Sequence, residues 1–235
     1  MQDEVTKHTR KIFKTLKNPN HTFGKKVKET LVEICIIVFA VTLSIWLHTW
    51  SEHRHEQQEA MDFLKGLKTD LNRDIRLLEK NREFITRVNL NCTFLAEIKA
   101  TQPSSPTLDS AISHHTFFSM PVSHLNIGRY DGFKSSGKIE TIENDDLKEN
   151  ILVFYQQMLP ELGYSEGFIN SLQQKILDLD IDKDDRTPLK SLVTSTKMKS
   201  LLQLGVHNSQ VSINEYGGAI AQARKILAGI NKYSD

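Results

Sequence analysis

Apolar residues fill positions 31–47, LVEICIIVFAVTLSIWL, and the run carries a single charge, Glu33. At about 1.5 Å per residue, this run and its neutral flanks approach the roughly 30 Å thickness of a bilayer's hydrocarbon core. The pattern predicts one transmembrane helix over residues 25–49. Beyond it the apolar residues become periodic. From Trp50 to Ala100 there is no proline, and the only glycine is Gly66. Leu64, Leu67, Leu71, Ile75, Leu78, Ile85, Val88, Cys92 and Leu95 recur at three- and four-residue steps, with Arg82 at a slot where an apolar residue is expected. This near-heptad stripe predicts that the helix continues as a long stalk over residues 50–100. A second copy could cover the stripe in a coiled coil, or later helices of the same chain could cover it. Those later segments are themselves amphipathic and need a partner surface, which favours the intrachain reading.

The remaining 135 residues read as short helices separated by turns. TQPSSPT, residues 101–107, is a Pro/Ser loop that closes the long helix. Residues 108–118 read as helix, and residues 127–136 as a short turn or helix ending at Gly137. Asn144 suits an N-cap, with Asp145 and Asp146 in the first turn where the helix dipole favours acids. Leu147, Ile151, Phe154 and Met158 then form an apolar face that Pro160 and Gly163 are expected to end. Further helices are expected over residues 165–179, 188–204 and 214–231. LDLDID, residues 177–182, alternates with period two but is too isolated to build a sheet. The expected fold class is all-α, with residues 101–235 forming a helical-bundle domain packed on the stalk.

Charge gives the apolar helix a direction. The first 30 residues hold eight basic and three acidic groups, a net +5, whereas the whole chain is +1, so residues 31–235 carry −4. Basic residues stay on the cytoplasmic side, so the N-terminus is expected inside and the long C-terminal part outside. Lys25, Lys26 and Lys28 mark the inner interface, and Trp46 and Trp50 mark the outer one. No small-x-small cleavage site follows the run, which argues for an uncleaved anchor. A buried core helix is the soluble alternative, but it would not need eight basic residues on one side. Glu33 lies in the first turn of the run; an intramembrane carboxylate is a functional candidate, though Lys26 and Lys28 could neutralise it locally. Cys35 reads as a small apolar residue or a lipidation site. In residues 1–24, Val5, Thr9, Ile12, Phe13 and Leu16 fall at helical spacing with lysines on the other face. This predicts a basic amphipathic helix on the anionic inner leaflet.

One stretch carries a resemblance. Tyr130-Asp131-Gly132-Phe133-Lys134-Ser135-Ser136-Gly137 is followed by an isoleucine-containing link and an acid-capped helix, downstream of a basic start and an acid-entered membrane helix. Over most of residues 25–160 this layout resembles an uncharacterised family of small single-pass membrane proteins of the Bacteroidetes type. The resemblance implies a bacterial inner membrane and a periplasmic C-terminal part. Within it, Tyr130, Phe133, Lys134, Ser135, Ser136 and Gly137 are the family-like positions. It implies no reaction.

The chemical candidates each have a plainer explanation. Gly163-Tyr164-Ser165-Glu166-Gly167 fits G-x-S-x-G, but that motif needs a strand before it and a later Asp and His. Ser165 reads better as an N-cap and Gly163 as a C-cap. Asp178, Asp180, Asp182, Asp184 and Asp185 alternate as calcium ligands do, yet the glycine and the final glutamate of such a loop are missing. His48, Glu52, His55 and Glu56, and separately His114, His115 and His124, could supply zinc ligands, but a collar of polar residues explains the first group. Cys92 on the stripe reads as a buried thiol rather than an intermolecular bridge. Basic residues beyond the membrane run are interleaved with acids, which disfavours nucleic acid. The sequence therefore predicts a non-enzymatic interaction or scaffold subunit of the envelope with no cofactor. Its expected partners are the bilayer, an envelope protein and, on the coiled-coil reading, a second copy. A sensor or ligand-binding ectodomain acting through a membrane partner is the alternative.

Overall fold

The computed structural model describes residue 10 and residues 23–116, 125–184 and 186–234. The amphipathic reading of residues 1–24, His124 and Asp185 fall outside or largely outside these. The chain is all-α, and no strand occurs among the described residues. Helix α1 runs Phe23–Glu97, followed by α2 Pro106–Thr116, α3 Gly128–Ser135 and a 3₁₀ turn Lys138–Thr141. Next come α4 Asp145–Val153, a π-helical turn Phe154–Met158 and α5 Leu159–Ile181. The chain then forms α6 Leu189–Val193 and α7 Thr196–Ser234. Two compact units divide it, Met1–Glu59 and Ala60–Asp235, and α1 contributes to each.

Within the first unit, α1 is the one helix among the described residues long and apolar enough to cross a membrane. Its most apolar window has a mean hydropathy of 2.4, and none of that window is buried. A core helix of a soluble protein would be covered. Here Ile34, Val38, Phe39 and Ile45 are all exposed.

In the second unit, the stripe on α1 is buried and more regular than its apolar members suggest. Leu64, Leu67, Leu71, Asp74, Leu78, Asn81, Ile85, Val88, Cys92 and Leu95 alternate three- and four-residue steps, and each is nearly inaccessible. Arg82 is not the residue interrupting the seam, as the sequence pattern implies. It is exposed, and Asn81 takes the buried slot. Counting only apolar residues hides this, because two of the ten positions are polar. Helix α7 carries the matching series Met198, Leu202, Gly205, Ser209, Ser212, Tyr216, Ala219, Ala223, Ile226 and Ile230. The two helices run antiparallel. Asn89 Nδ2 donates to the Val206 carbonyl at 2.9 Å and to Ser209 Oγ at 2.8 Å, and Arg224 pairs with Glu79 at 2.6 Å. Small residues on α7 permit close approach: a Cβ at Gly205 would lie 2.8 Å from Cys92 Sγ. Cys92 is accordingly buried, and burial pushes its thiol up to about 11, so it is inert as a nucleophile.

Several local expectations are met. Asn144 caps α4, its side chain accepting from Leu147 N–H at 2.9 Å. Gly137, at φ 75°, ends α3 in the left-handed conformation that glycine adopts without strain. Helix α2 starts two residues earlier than expected, inside the Pro/Ser stretch: Pro106 opens it and Ser105 Oγ accepts from Leu108 N–H.

The second half differs from expectation. Pro160 and Gly163 do not end the helix begun at Asp145. The chain widens into the π-helical turn, where Leu159 N–H bonds the Phe154 carbonyl five residues back, and continues as α5. Proline lacks the N–H for an α-helical bond and crowds the carbonyl four residues before it. A wider turn just upstream absorbs both effects. The segments expected over 188–204 and 214–231 also differ. After short α6, a single 39-residue helix passes through Gly205 and Gly217–Gly218 without a break. Burial of its heptad face offsets the weak helix propensity of those glycines.

Candidate functional site

Two buried carboxylates of the unit, Asp70 and Asp74, lie where α3 meets α1. Gly66 is the starting point. A Cβ there would overlap the Arg129 guanidinium, so glycine opens the surface of α1 to that side chain. Arg129 Nε reaches Asp70 Oδ2 at 2.6 Å, and Asn126 Nδ2 donates to Asp70 Oδ1 at 3.1 Å. One turn on, Asp74 Oδ1 accepts from the Asn126 backbone N–H at 3.4 Å. Asp74 is 1 % exposed, and its Oδ2 has no hydrogen-bond partner. Burial is the largest influence on its pKa and raises it. The Asn126 N–H and Arg73 pull the other way, and Asp70 adds to the rise.

Residues 130–137 build the far side of this layer. Tyr130 is buried and stacks on Tyr155 of the π-helical turn, with ring centroids 4.3 Å apart and planes 7° apart. Its hydroxyl accepts from Gln156 Nε2 at 2.6 Å. Phe133 stacks on Phe63 of α1 at 3.9 Å. Lys134 Nζ lies 6.0 Å over the Tyr130 ring, and Ser136 Oγ donates to the Phe133 carbonyl. Ser135 is exposed. Thus Phe133 seats this stretch on α1 and Tyr130 joins it to the π-helical turn, while Gly137 lies exposed at its end. Sequence reasoning found that stretch but missed Gly66, Asp70, Asp74, Asn126 and Arg129. The available signal was the exact continuation of the heptad through Asp74 and Asn81. The Tyr155 hydroxyl is also buried without a partner, and burial is the main reason its pKa rises.

Beside this layer, Leu78, Leu125, Ile127, Tyr155, Leu159 and Leu162 line a half-open, mostly apolar cavity of about 340 Å³. Glu166 stands at its edge and accepts from the Tyr216 hydroxyl.

The other candidates lie elsewhere. Trp46 and Trp50 are exposed on α1, and Arg54 sits 5.1 Å over the Trp50 ring. Lys25, Lys26 and Lys28 belong to the first turns of α1, with Lys28 exposed, and Glu33 is half-buried on the same helix. His55 approaches Glu59 at 3.7 Å, while His115 Nδ1 bonds Asn91 Oδ1 at 2.7 Å. Asp180 pairs with Lys183 and Asp184 with Arg186. Among the described residues, no three His, Cys, Asp or Glu side chains gather to hold a metal ion.

Ser165 and Gly163 are not helix caps, contrary to the sequence reading. Both lie inside α5, and no strand precedes them. The sharp strand-to-helix turn of a nucleophile elbow is therefore missing here. Ser165→Ala is expected to leave the melting temperature unchanged or slightly raised, since alanine is the better helix former by a few tenths of a kcal/mol. A loss of about 1 kcal/mol would restore the cap, and covalent labelling of Ser165 by a fluorophosphonate would restore the elbow.

The site is thus a two-aspartate, tyrosine-stacked docking layer in an all-α chain. No family model, curated protein or solved structure matches the chain.

Proposed function

We propose that the chain is a membrane-anchored, non-enzymatic interaction or scaffold subunit of a bacterial cell envelope. In this reading α1 enters the inner membrane from the cytoplasm, and a periplasmic helical-bundle domain follows it. The observation that carries the reading is the fully uncovered apolar window of α1, which follows a segment of net +5. A surface of that length and hydropathy needs lipid or a partner to cover it. The second unit has a core of its own, as a module presented by an anchor requires. The resemblance to the uncharacterised Bacteroidetes-type family supports the same compartment.

The test is topology followed by capture. A reporter active only outside the cytoplasm should give signal when fused after Asp235 and none when fused before Met1. Equal activity at both ends overturns the N-in orientation, and with it the periplasmic assignment. Purification in mild detergent with crosslinking should then return a defined envelope protein.

The cavity beside Tyr155 favours a second reading, a ligand-binding ectodomain. Its volume of about 340 Å³ and apolar walls suit a small, largely apolar molecule. A domain of that kind would show ligand-dependent thermal stabilisation in a small-molecule screen.

A further inference from the structure

We propose that Asp74 is a proton-operated latch: with its carboxyl neutral, the segment carrying Asn126, Arg129 and Tyr130 stays seated on α1, and with its carboxyl ionised that segment releases. This inference is independent of the membrane reading, because it concerns only the second unit.

The geometry leaves an ionised Asp74 without adequate compensation. The titratable and charged groups that act on it are Asp70 and Arg73 on α1 and Tyr155 on the π-helical turn, with Arg129 and Tyr130 of α3 standing beside Tyr155. Arg129 is engaged by Asp70 at 2.6 Å. Arg73 lies 4.0 Å away with an exposed side chain, so solvent screens it. Tyr155 brings a hydroxyl that burial holds in its neutral form. Asp70 is a second carboxylate one turn back on the same helix and repels the charge. The one hydrogen bond to Asp74, from the Asn126 N–H, is long at 3.4 Å. A buried carboxylate with an orphan oxygen is costly, and a proton removes that cost. Asp74 lines neither the cavity beside Tyr155 nor the one beneath the end of α1. A larger cation would need the layer to open, whereas a proton needs no space.

The segment that would release is small. Helix α3 has eight residues, too few to persist alone in water. It is held by the Arg129–Asp70 pair, the Asn126 bonds and two aromatic stacks. Helices α4, α5 and α7 pack on one another through separate contacts, such as Gln222 to Asn150 and Tyr216 to Glu166, so they can stay folded when α3 lifts.

The direction in pH follows from linkage. The seated state has the raised Asp74 pKa, and the released state has the ordinary one near 3.8. Stability of the seated state is therefore fully present below about pH 4 and is lost as pH rises through the raised value. Above that value it is constant again. On release the proton passes to solvent.

The experiment is hydrogen exchange with mass spectrometry on the full chain in detergent, from about pH 4 to about pH 8, corrected for intrinsic exchange. Protection of residues 126–135 should fall by up to about tenfold per pH unit above pH 4 and then level off. Protection of residues 159–181 should not follow it. Asp74→Asn should hold residues 126–135 at the high, pH-independent level. The latch is overturned if wild-type protection at 126–135 is flat across the range, if residues 159–181 lose protection in parallel, or if Asp74→Asn keeps the wild-type pH response. The first two outcomes need no variant, so a folding failure of Asp74→Asn leaves the inference testable.

Discussion

Leu78→Asp abolishes cooperative folding of the C-terminal unit. Leu78 is 1 % exposed and lies on the buried seam of α1, one step from Asp74 and beside Tyr155, Leu159 and Leu162. Losing a buried leucine costs about 2–5 kcal/mol. A carboxylate in its place adds several kcal/mol of desolvation, and the seam already holds one poorly compensated aspartate there. Together these exceed about 5 kcal/mol, comparable to the whole stability of a typical domain. Residues 50–235, prepared without the anchor, are expected to fold as a soluble helical monomer, and the variant should lose its helical circular dichroism. If the seam instead paired two copies, the variant would keep its helicity and light scattering would report half the wild-type mass. That result would overturn the intrachain packing.

Lys199→Met lowers stability by about 2 kcal/mol, because a distant lysine terminates α1. The last turn of α1 has no basic residue of its own. Its orphan carbonyls are met from α7: Lys199 Nζ donates to Leu95 O at 3.2 Å and to Ala96 O and Ile98 O at 2.5 Å each. Three acceptors match the three ammonium protons. Lys190 Nζ donates in turn to the Ala100 and Gln102 carbonyls. Burial lowers the Lys199 pKa, but the carbonyls favour the charged form, which alone can donate to all three. Each charge-assisted bond is worth about 1.5–3 kcal/mol. The open cavity of about 730 Å³ beside Lys199 lets water satisfy some of the carbonyls in the variant, so the total is nearer that of one such bond. For a unit of this size, about 2 kcal/mol corresponds to a fall of roughly 4–8 °C in melting temperature. Methionine keeps the apolar stem, so the loss reports the cap rather than packing. An unchanged melting temperature would show that the carbonyls are equally well served by water.

The chain's composition along its length was enough to determine the all-α class, the apolar helix, the long helix after it and the cap at Asn144. These depend on local properties: continuous hydropathy, period, and a side chain that reaches its own backbone. Burial of Cys92 was legible too, because a thiol on an apolar stripe has one simple place to go. What tertiary structure alone decided is where the helices fail to stop and where the seam is polar. Pro160 reads locally as a breaker. It is tolerated because the π-helical turn at Phe154–Met158 widens the helix just before it, and that turn carries Tyr155, which stacks on Tyr130, 25 residues away in sequence. Gly205 falls in the gap expected between two helices, but close packing against Cys92 keeps it helical; Gly217 and Gly218, inside the expected last helix, lie beside Arg82 and against Met158. Asp74 and Asn81 read as surface residues, because polarity alone assigns them to solvent. They are buried because elements distant in sequence lie across these steps of α1; at Asp74 the covering residue is Asn126, 52 positions on. Arg129 and Asp70, 59 positions apart, meet only because Gly66 leaves space between them. Periodicity is a property of one segment, whereas the charge a side chain meets depends on which distant helix lies across from it.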